Sequence, residues 1–351
     1  MKLQLKIHIG TEKTGSSFLQ SVAARNREFL KKEGIWFPDA GKREKDLIGG
    51  NTSPGNAQPF SDALSFHDYK KAEKWLKKRA EETHKNGCKV LLLSNELLVL
   101  TLAKKGVWRL FLEITNSLGF GSISYFLVLR DPVDLALSLY KHRAKNGNAA
   151  AIEDWIASSF HYTEGLKGFF KEVEELRPNL HCRRYSNREG YLEQIFFEDW
   201  LGIQTSLSIP TRLVNPSLSL SELLFLKNLR KYHPLLVNPL YERFSLINKS
   251  EKAQEPKLEE YYRFVIGKEF IKHKPVWEYS QKYLSEGEKF NSIELGKEVG
   301  IESRIITFSE VQVKTISSFI KEAGGLSLKL KVFFLRIKIF LAGWRKRLIQ
   351  R

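Results

Sequence analysis

One short segment decides how this chain is expected to fold, and it reads Ile9-Gly10-Thr11-Glu12-Lys13-Thr14-Gly15-Ser16-Ser17. Residues 3–9 before it alternate apolar and polar side chains, which predicts a β-strand, and a helical pattern begins at about Ser16. A glycine-bounded turn between a strand and a helix forms a cradle in which backbone N–H groups and the helix N-terminus bind a phosphate. Lys13 supplies a positive charge, and Ser16 and Ser17 add hydroxyl donors.

This segment is not a Walker A sequence, because that pattern places a lysine and then Ser or Thr directly after the second glycine. Here Ser16 follows Gly15, and Lys13 lies two positions before this glycine. The alternative interpretation is an ordinary strand–turn–helix connection in which a serine caps the helix.

A second informative segment follows the strand predicted at 124–129, which ends in Arg130-Asp131-Pro132. Asp131 suits the N-cap of a helix and Pro132 its first position, so Ser138 would lie about two turns into that helix. An arginine and a hydroxyl can together hold a phosphate dianion, and ligands of open α/β sheets bind outside the carboxyl ends of the strands. The alternative is a capped helix whose arginine makes a surface ion pair.

The rest of the chain alternates between strand and helix patterns. Further strands are predicted at 89–93 and 179–185, helices at 16–32, 68–86 and 104–118, and a long irregular loop at 42–62. Apolar strands separated by helices predict an α/β fold with a parallel sheet flanked by helices. After about residue 216 the pattern is mainly helical. We expect one domain over 1–308, with a helical acceptor-side region at 216–308, and a C-terminal extension over 309–351.

The composition is that of a folded, basic protein. The chain has 351 residues, of which 42% are hydrophobic and 28% charged, enough for a sizeable core. The net charge of +17 favours anionic partners such as phosphates, sulfates, acidic glycans or lipid headgroups. Only Cys88 and Cys182 are cysteines, which excludes a disulfide scaffold and a cysteine-rich zinc site. No signal-peptide pattern and no run of about 18 apolar residues occurs, so the expected location is the cytoplasm.

The two phosphate-binding segments resemble those of sulfotransferases that use 3′-phosphoadenosine 5′-phosphosulfate (PAPS). Residues 13–17 match the family's 5′-phosphosulfate loop, Lys-Ser/Thr-Gly-Thr/Ser-Ser/Thr, and the spacing of Arg130 and Ser138 matches its 3′-phosphate-binding pair. Residues 215–222 are similar to the Asn-x-Ser-Leu-Ser segment of bacterial members, and the resemblance covers roughly residues 3–308. It implies a P-loop NTPase-like fold and sulfuryl transfer from PAPS to a hydroxyl or amine, without a metal.

Within the resemblance, the cofactor-binding residues are Lys13, Thr14, Gly15, Ser16, Ser17, Arg130 and Ser138. Tyr185, at the end of a predicted strand, would border the nucleotide pocket. Sulfuryl transfer also needs positive charge near the leaving phosphate and a base for the acceptor proton. Lys13 is predicted to supply the charge and Glu96, after strand 89–93, to be the base.

Other interpretations of these titratable residues stay open. Glu96 could be a carboxylate at a helix N-terminus, favoured by the helix dipole, with Ser94 or Asn95 as the cap. His8 is a weaker candidate base, because a histidine inside a strand is more often a hydrogen-bonded structural residue.

Residues 326–351 mix large apolar side chains with basic ones and contain no acidic residue. The basic residues are Lys329, Lys331, Arg336, Lys338, Arg345, Lys346, Arg347 and Arg351. This composition suits an anionic membrane surface, which would place the protein on the inner face of a membrane and favour a carbohydrate or glycolipid acceptor. Because the charges do not cluster on one helical face, a terminal helix packed on the domain is the alternative.

Three functional hypotheses follow. The first is a PAPS-dependent sulfotransferase. The second is a nucleotide-dependent, kinase-like phosphotransferase, which the missing Walker lysine disfavours. The third is a non-catalytic protein that binds PAPS or a polyanion at a membrane surface. Nucleic acid is disfavoured as a partner, because the positive charge is diffuse outside the C-terminal segment and no recognition module is evident.

Overall fold

The computed structural model describes residues 2–50, 53–144, 150–159, 162–203, 207–209, 218–270, 274–290 and 306–322. The chain divides into two compact units. The first comprises Met1–Leu139, Ala151–Asn215 and Arg263–Glu298, and the second comprises Tyr140–Ala150, Pro216–Tyr262 and Val299–Arg351. The segment 326–351 and residues 215–217 lie outside the described residues, so the expectations for them stay predictions, as does the division at residue 308.

A five-stranded parallel sheet with the strand order β2-β3-β1-β4-β5 forms the centre of the first unit. The strands are β1 (Gln4–His8), β2 (Ile35–Trp36), β3 (Val90–Ser94), β4 (Ser122–Leu129) and β5 (Leu180–Arg184). In the central strand β1, Leu5 and Ile7 are fully buried and pair with Leu91 and Leu93 of β3. Buried strands of this kind require helices on the sheet faces. The predicted α/β class with a parallel sheet flanked by helices is confirmed.

Helices alternate with the strands along the chain up to β5 and continue after it. They are α1 (Ser16–Arg25), α2 (Arg27–Lys32), α3 (Glu44–Ile48), α4 (Gln58–Ser65), α5 (Tyr69–Lys85), α6 (Leu98–Leu102), α7 (Val107–Ser117), α8 (Pro132–Ala144), α9 (Ile152–Ser159), α10 (Tyr162–Leu176), α11 (Tyr191–Glu193), a π-helix (Gln194–Trp200), α12 (Leu220–Tyr232), α13 (Val237–Ser245), α14 (Pro256–Phe270), α15 (Lys274–Gln281) and α16 (Glu310–Glu322).

One face of the sheet packs against α1 and the π-helix. Phe126 of β4 contacts Phe196 and Trp200 of the π-helix, with ring centroids 5.2 and 5.0 Å apart, and Leu19 and Val22 of α1 belong to the same core. Burial of apolar area of this kind stabilises the fold by about 25 cal/mol per Å². Because α1 packs against the sheet, the positions of both ends of the loop between β1 and α1 are set by this packing.

The second unit has its own hydrophobic core between helices. Leu226 and Leu229 of α12 pack with Leu240 and Phe244 of α13 and with Ile316 of α16, and all five are buried. The mainly helical pattern predicted after residue 216 is confirmed for the described residues. In the part of the chain that the structure describes, no helix is both long and apolar enough to cross a membrane.

Two predicted helices have different bounds in the structure. The helix predicted over 16–32 is two helices, α1 and α2, which are separated at Asn26. The backbone of Asn26 leaves the helical conformation, and its side chain amide donates to the carbonyl of Val22 at 2.7 Å. The helix predicted over 104–118 begins at Val107, where Gly106 occupies the left-handed N-cap position with φ 78°, and α6 precedes it.

The irregular loop predicted over 42–62 is wrong, because this range contains α3 and the start of α4. The glycines and prolines that indicated a loop stand at the ends of short helices. Gly49 and Gly50 follow α3, and Pro59 lies in the first turn of α4, where a proline is tolerated. The two-residue strand β2 was not predicted either, because it is too short for a period to show.

Candidate functional site

The loop that follows β1 lies where the direction of the chain reverses in the sheet. From β1 the chain continues to β2 on one side, and from β4 it continues to β5 on the other, while β1 and β4 are neighbours. Adjacent strands whose connections run in opposite directions leave a crevice at their carboxyl ends, and α/β proteins bind ligands there. The segments 10–17 and 130–138 therefore meet at the position in the fold that suits a ligand.

Two glycines allow this loop to pack against neighbouring segments. Gly10 has φ 113°, and a Cβ atom there would overlap with the backbone carbonyl oxygen of Glu96. Gly15 has φ 87°, and a Cβ atom there would overlap with the side chain of Leu192 in α11. Both positions therefore require glycine, for its backbone conformation and for the close contact.

Hydrogen bonds inside the loop fix its shape. The hydroxyl of Thr11 donates to the carbonyl of Val128 in β4 at 3.0 Å, and the backbone N–H of Val128 donates to the carbonyl of Gly10 at 2.9 Å. The hydroxyls of Thr14 and Ser16 both donate to the carbonyl of Thr11, at 2.6 and 3.0 Å. The hydroxyl proton of Ser16, expected to serve a phosphate, is thus directed into the loop itself.

The backbone N–H groups at the start of α1 are available to donate hydrogen bonds to an anion. Gly15 is the N-cap residue, and no side chain caps the helix, so the alternative of a serine cap is wrong. The first N–H groups of any helix have no partner inside the helix. Among the described residues, none accepts a hydrogen bond from the backbone N–H groups of Thr14, Gly15, Ser16 or Ser17. Such a cluster of donors at the positive end of a helix dipole suits an anion.

Arg130 connects the two predicted phosphate-binding segments. Its Nη1 donates to the carbonyl of Lys13 at 3.0 Å, and its guanidinium lies over the ring of Tyr185 at 4.9 Å from the centroid. Its Nε is buried and has no hydrogen-bond partner among the described residues. The structure thus brings Lys13, Arg130 and Tyr185 together, and it leaves the Nε–H of Arg130 for a further acceptor.

The helix after Arg130 begins as predicted. Asp131 precedes α8 and accepts a hydrogen bond from the N–H of Val133 at 3.1 Å, and Pro132 is the first helical residue. Burial raises the pKa of Asp131, and the neighbouring Asp134 raises it further. Ser138 is half-buried one turn after Asp134, and among the described residues no hydrogen bond joins its side chain to Arg130.

Glu96 follows β3 at the same edge of the sheet. It is half-buried in the turn before α6, its N–H donates to the carbonyl of Pro54 at 3.3 Å, and its backbone lies against Gly10. The side chain of Asn95 closes this turn by accepting from the N–H of Leu97 at 3.0 Å. Because α6 begins only at Leu98, Glu96 precedes the helix and does not lie in its first turn.

A buried polar network beneath the loop was not predicted from the sequence. His8 Nδ1 lies 2.8 Å from the hydroxyl oxygen of Ser94, which also accepts from Gln20 Nε2 at 3.0 Å. Burial lowers the pKa of His8 to about 4, so the ring is neutral near pH 7. His8 is therefore a structural residue that joins β1 to β3, as its position inside a strand suggested.

Asn56 was missed as well, and it holds the end of β3. Its Oδ1 accepts from the N–H of Ser94 at 2.8 Å, and its Nδ2 donates to the carbonyls of Leu92 and Pro38 at 3.3 and 3.2 Å. The side chain amide of Asn56 thus makes the hydrogen bonds to the backbone of β3 that a neighbouring strand would otherwise make. The only sequence signal was the Pro54-Gly55 turn before it.

Comparisons with known proteins add little. No family model matches the chain, and no curated protein matches it. A solved structure described as a sulfotransferase domain from the curacin biosynthetic pathway matches at 13% identity with a TM-score of 0.34, covering 59% of this chain and 76% of its own. A match at this level establishes neither a family nor an activity. Among the described residues, no group of three or more His, Cys, Asp or Glu side chains could hold a metal ion.

Proposed function

We propose that this protein is a sulfotransferase that moves a sulfuryl group from PAPS to a hydroxyl or amine of an acceptor. The observation that carries the proposal is the hydrogen bond from Arg130 to the carbonyl of Lys13. It joins, at the crevice between β1 and β4, the two segments that resemble the donor-binding segments of sulfotransferases. If either segment resembled the sulfotransferase segments only by chance, the two segments would not be expected to lie in contact.

The residues at this edge suit a donor with two anionic ends. The N–H groups of residues 14–17 would hold the 5′-phosphosulfate, and the buried Nε of Arg130 would donate to the 3′-phosphate together with the hydroxyl of Ser138. Tyr185, on which the guanidinium of Arg130 lies, would border the nucleotide. Phosphate groups bound by backbone N–H groups at a helix N-terminus are a general feature of α/β proteins.

When bound, PAPS would supply the sulfuryl group and leave as adenosine 3′,5′-bisphosphate. Lys13 would stabilise the negative charge that develops on the leaving phosphate. Glu96 would accept the proton of the acceptor, because its turn lies against Gly10 at the start of the phosphate loop. A carbohydrate or glycolipid acceptor, with hydroxyl or amine groups, belongs to the same proposal.

Titration calorimetry tests the donor class directly. We expect adenosine 3′,5′-bisphosphate to bind at least about tenfold more tightly than ADP, and Arg130→Ala to remove this preference, because each charge-assisted hydrogen bond contributes about 1.5–3 kcal/mol. Arg109→Ala is the matched control, since Arg109 pairs on the surface with Glu175 of α10. Equal binding of the two nucleotides would favour a kinase-like phosphotransferase, and no binding of either would contradict the phosphate site.

A further inference from the structure

A single carboxylate holds the connection between β5 and α11, here called the 185–190 connection, at both of its ends. Glu288 Oε2 accepts from the backbone N–H of Arg184 at 2.6 Å, directly before this connection. Glu288 Oε1 accepts from the hydroxyl of Tyr191 at 2.6 Å, directly after it, and from Arg183 Nε at 2.9 Å. The side chain of Glu288 is only 16% exposed, so these three donors converge on a carboxylate that is largely shielded from water.

Backbone contacts bring Glu288 to this place. β5 is an edge strand of the sheet, and Leu284, after α15, forms a parallel bridge with Cys182 of β5. The N–H of Ser285 donates to the carbonyl of Cys182 at 3.1 Å, and a turn follows in which the N–H of Glu288 donates to the carbonyl of Ser285 at 3.0 Å. A segment distant in sequence therefore covers the edge of the sheet and presents its carboxylate to the 185–190 connection.

The two ends of this connection lie at the proposed donor site. Tyr185 is its first residue, and the guanidinium of Arg130 lies over the Tyr185 ring at 4.9 Å from the centroid. Leu192 directly follows Tyr191, and its side chain lies against Gly15, the N-cap residue of α1. Because Leu192 fills the space that a Cβ atom at Gly15 would need, a shift of α11 changes the packing at the start of α1.

From these contacts we propose that Glu288 is a positioning residue for the donor site. It fixes Tyr185 beneath Arg130 and Leu192 against Gly15, and these two side chains border the two phosphate-binding segments. This role rests on the proposed function, since the site that Glu288 organises is the one in which PAPS would bind.

The chemistry of the carboxylate suits this role. An ionised carboxylate only accepts hydrogen bonds, so three donors that converge on it fix one arrangement. Burial and the hydrogen bond to Glu288 raise the pKa of Tyr191 to about 12, so the phenol keeps its proton and donates near pH 7. Arg183 is also held from a second side, because its Nη1 donates to Asp199 of the π-helix at 2.9 Å. The contacts of Glu288 therefore join β5, α11 and the π-helix.

Amide hydrogen exchange and titration calorimetry of the full chain test the proposal. In Glu288→Gln an N–H₂ group replaces one accepting oxygen, so at least one of the three donors loses its acceptor. We expect hydrogen exchange to become about tenfold faster in residues 185–194 and 19–22, and adenosine 3′,5′-bisphosphate to bind about tenfold more weakly. Tyr191→Phe removes one hydroxyl and keeps the contacts of Glu288 with β5, so both changes should be smaller, about threefold.

Glu82→Gln is the matched control, because Glu82 is 26% exposed and accepts from Arg79 at 2.6 Å within α5. It should leave the exchange at 19–22 and the nucleotide affinity unchanged. Faster exchange confined to 284–288 and β5 in Glu288→Gln, with unchanged nucleotide affinity, would show a structural role only and would overturn the proposal. Tyr191→Phe without any effect would overturn it as well. If the unmodified protein bound no bisphosphate, the proposed function would fail, while the exchange at 19–22 would still decide whether Glu288 holds this site.

Discussion

At the scale of single residues, His8 illustrates how burial decides the state of an ionisable side chain. Its ring is fully buried between Phe126 and Phe196 and contacts Ser94 at the end of β3. Desolvation disfavours the charged imidazolium and lowers the pKa of His8 from 6.5 to about 4. The protein therefore keeps a neutral histidine beneath the loop between β1 and α1.

This lowered pKa predicts a loss of stability in acid. Between pH 6.5 and about 4 the histidine takes up a proton in the unfolded chain but not in the folded protein, so the free energy of unfolding falls as the pH decreases, by about 1 kcal/mol per pH unit. His8→Gln lacks this contribution. We expect the stability difference between the native protein and His8→Gln to narrow from pH 7 to pH 5, as measured by urea denaturation. A constant difference would show that His8 does not titrate in this way.

At the scale of elements, the N-terminus of α12 depends on a buried ion pair. Ser219 and Glu222 form a capping box, and the carboxylate of Glu222 also pairs with Lys252 at 2.9 Å. Both charged side chains are almost completely buried, 0% exposed for Glu222 and 5% for Lys252. Gln312 of α16 donates to the same carboxylate at 2.8 Å. The carboxylate of Glu222 therefore connects the N-terminus of α12 to Lys252 and to α16.

Removal of the cation should destabilise the protein strongly. Lys252→Met leaves the charge of Glu222 buried without its partner, which costs about 3–5 kcal/mol. Lys314→Met is the control, because Lys314 and Glu310 form an exposed pair at 3.7 Å and its loss costs less than about 1 kcal/mol. Chemical denaturation monitored by circular dichroism measures both. Equal effects of the two substitutions would contradict the importance of burial.

The sequence predicts some of these elements more accurately than others, and the difference has a physical reason. The strand at 124–129 and the helix at 68–86 were predicted closely, because one has a continuous apolar run and the other a clear period, with Ala72, Leu76 and Ala80 buried. Short helices such as α3 and α4 carry too few turns for a period. Their terminal glycines and proline therefore indicated a loop.

At the scale of the whole molecule, the parallel sheet brings residues distant in sequence to one edge. Gly10 and Glu96 are in contact because β1 and β3 are neighbours with Leu5 opposite Leu91. Arg130 reaches the carbonyl of Lys13 because β4 pairs with β1 on its other side. The proposed donor site and the proposed base are thus consequences of strand order.

The proposed role of Glu96 predicts a separation of binding from turnover. Glu96→Gln leaves the residues of the loop and Arg130 in place, so binding of adenosine 3′,5′-bisphosphate should persist. An acceptor is first found by screening sugars, phenols and amines with PAPS. The rate of sulfuryl transfer to this acceptor should fall about 100-fold or more in Glu96→Gln. Glu193→Gln, in α11, controls for loss of a carboxylate. Unchanged turnover in Glu96→Gln would exclude it as the base, and loss of nucleotide binding would instead indicate a structural role.

The sequence by itself determined the α/β class, the central strands and the glycine-bounded loop after β1, because these depend on local periodicity and on backbone conformations that few residues adopt. Only the tertiary structure decided that Ser16 donates to the carbonyl of Thr11, that Asn56 pairs with the end of β3, and that Arg130 joins the loop. These contacts link residues whose neighbours are set by strand order and helix packing, and no pattern along the chain encodes such pairings directly.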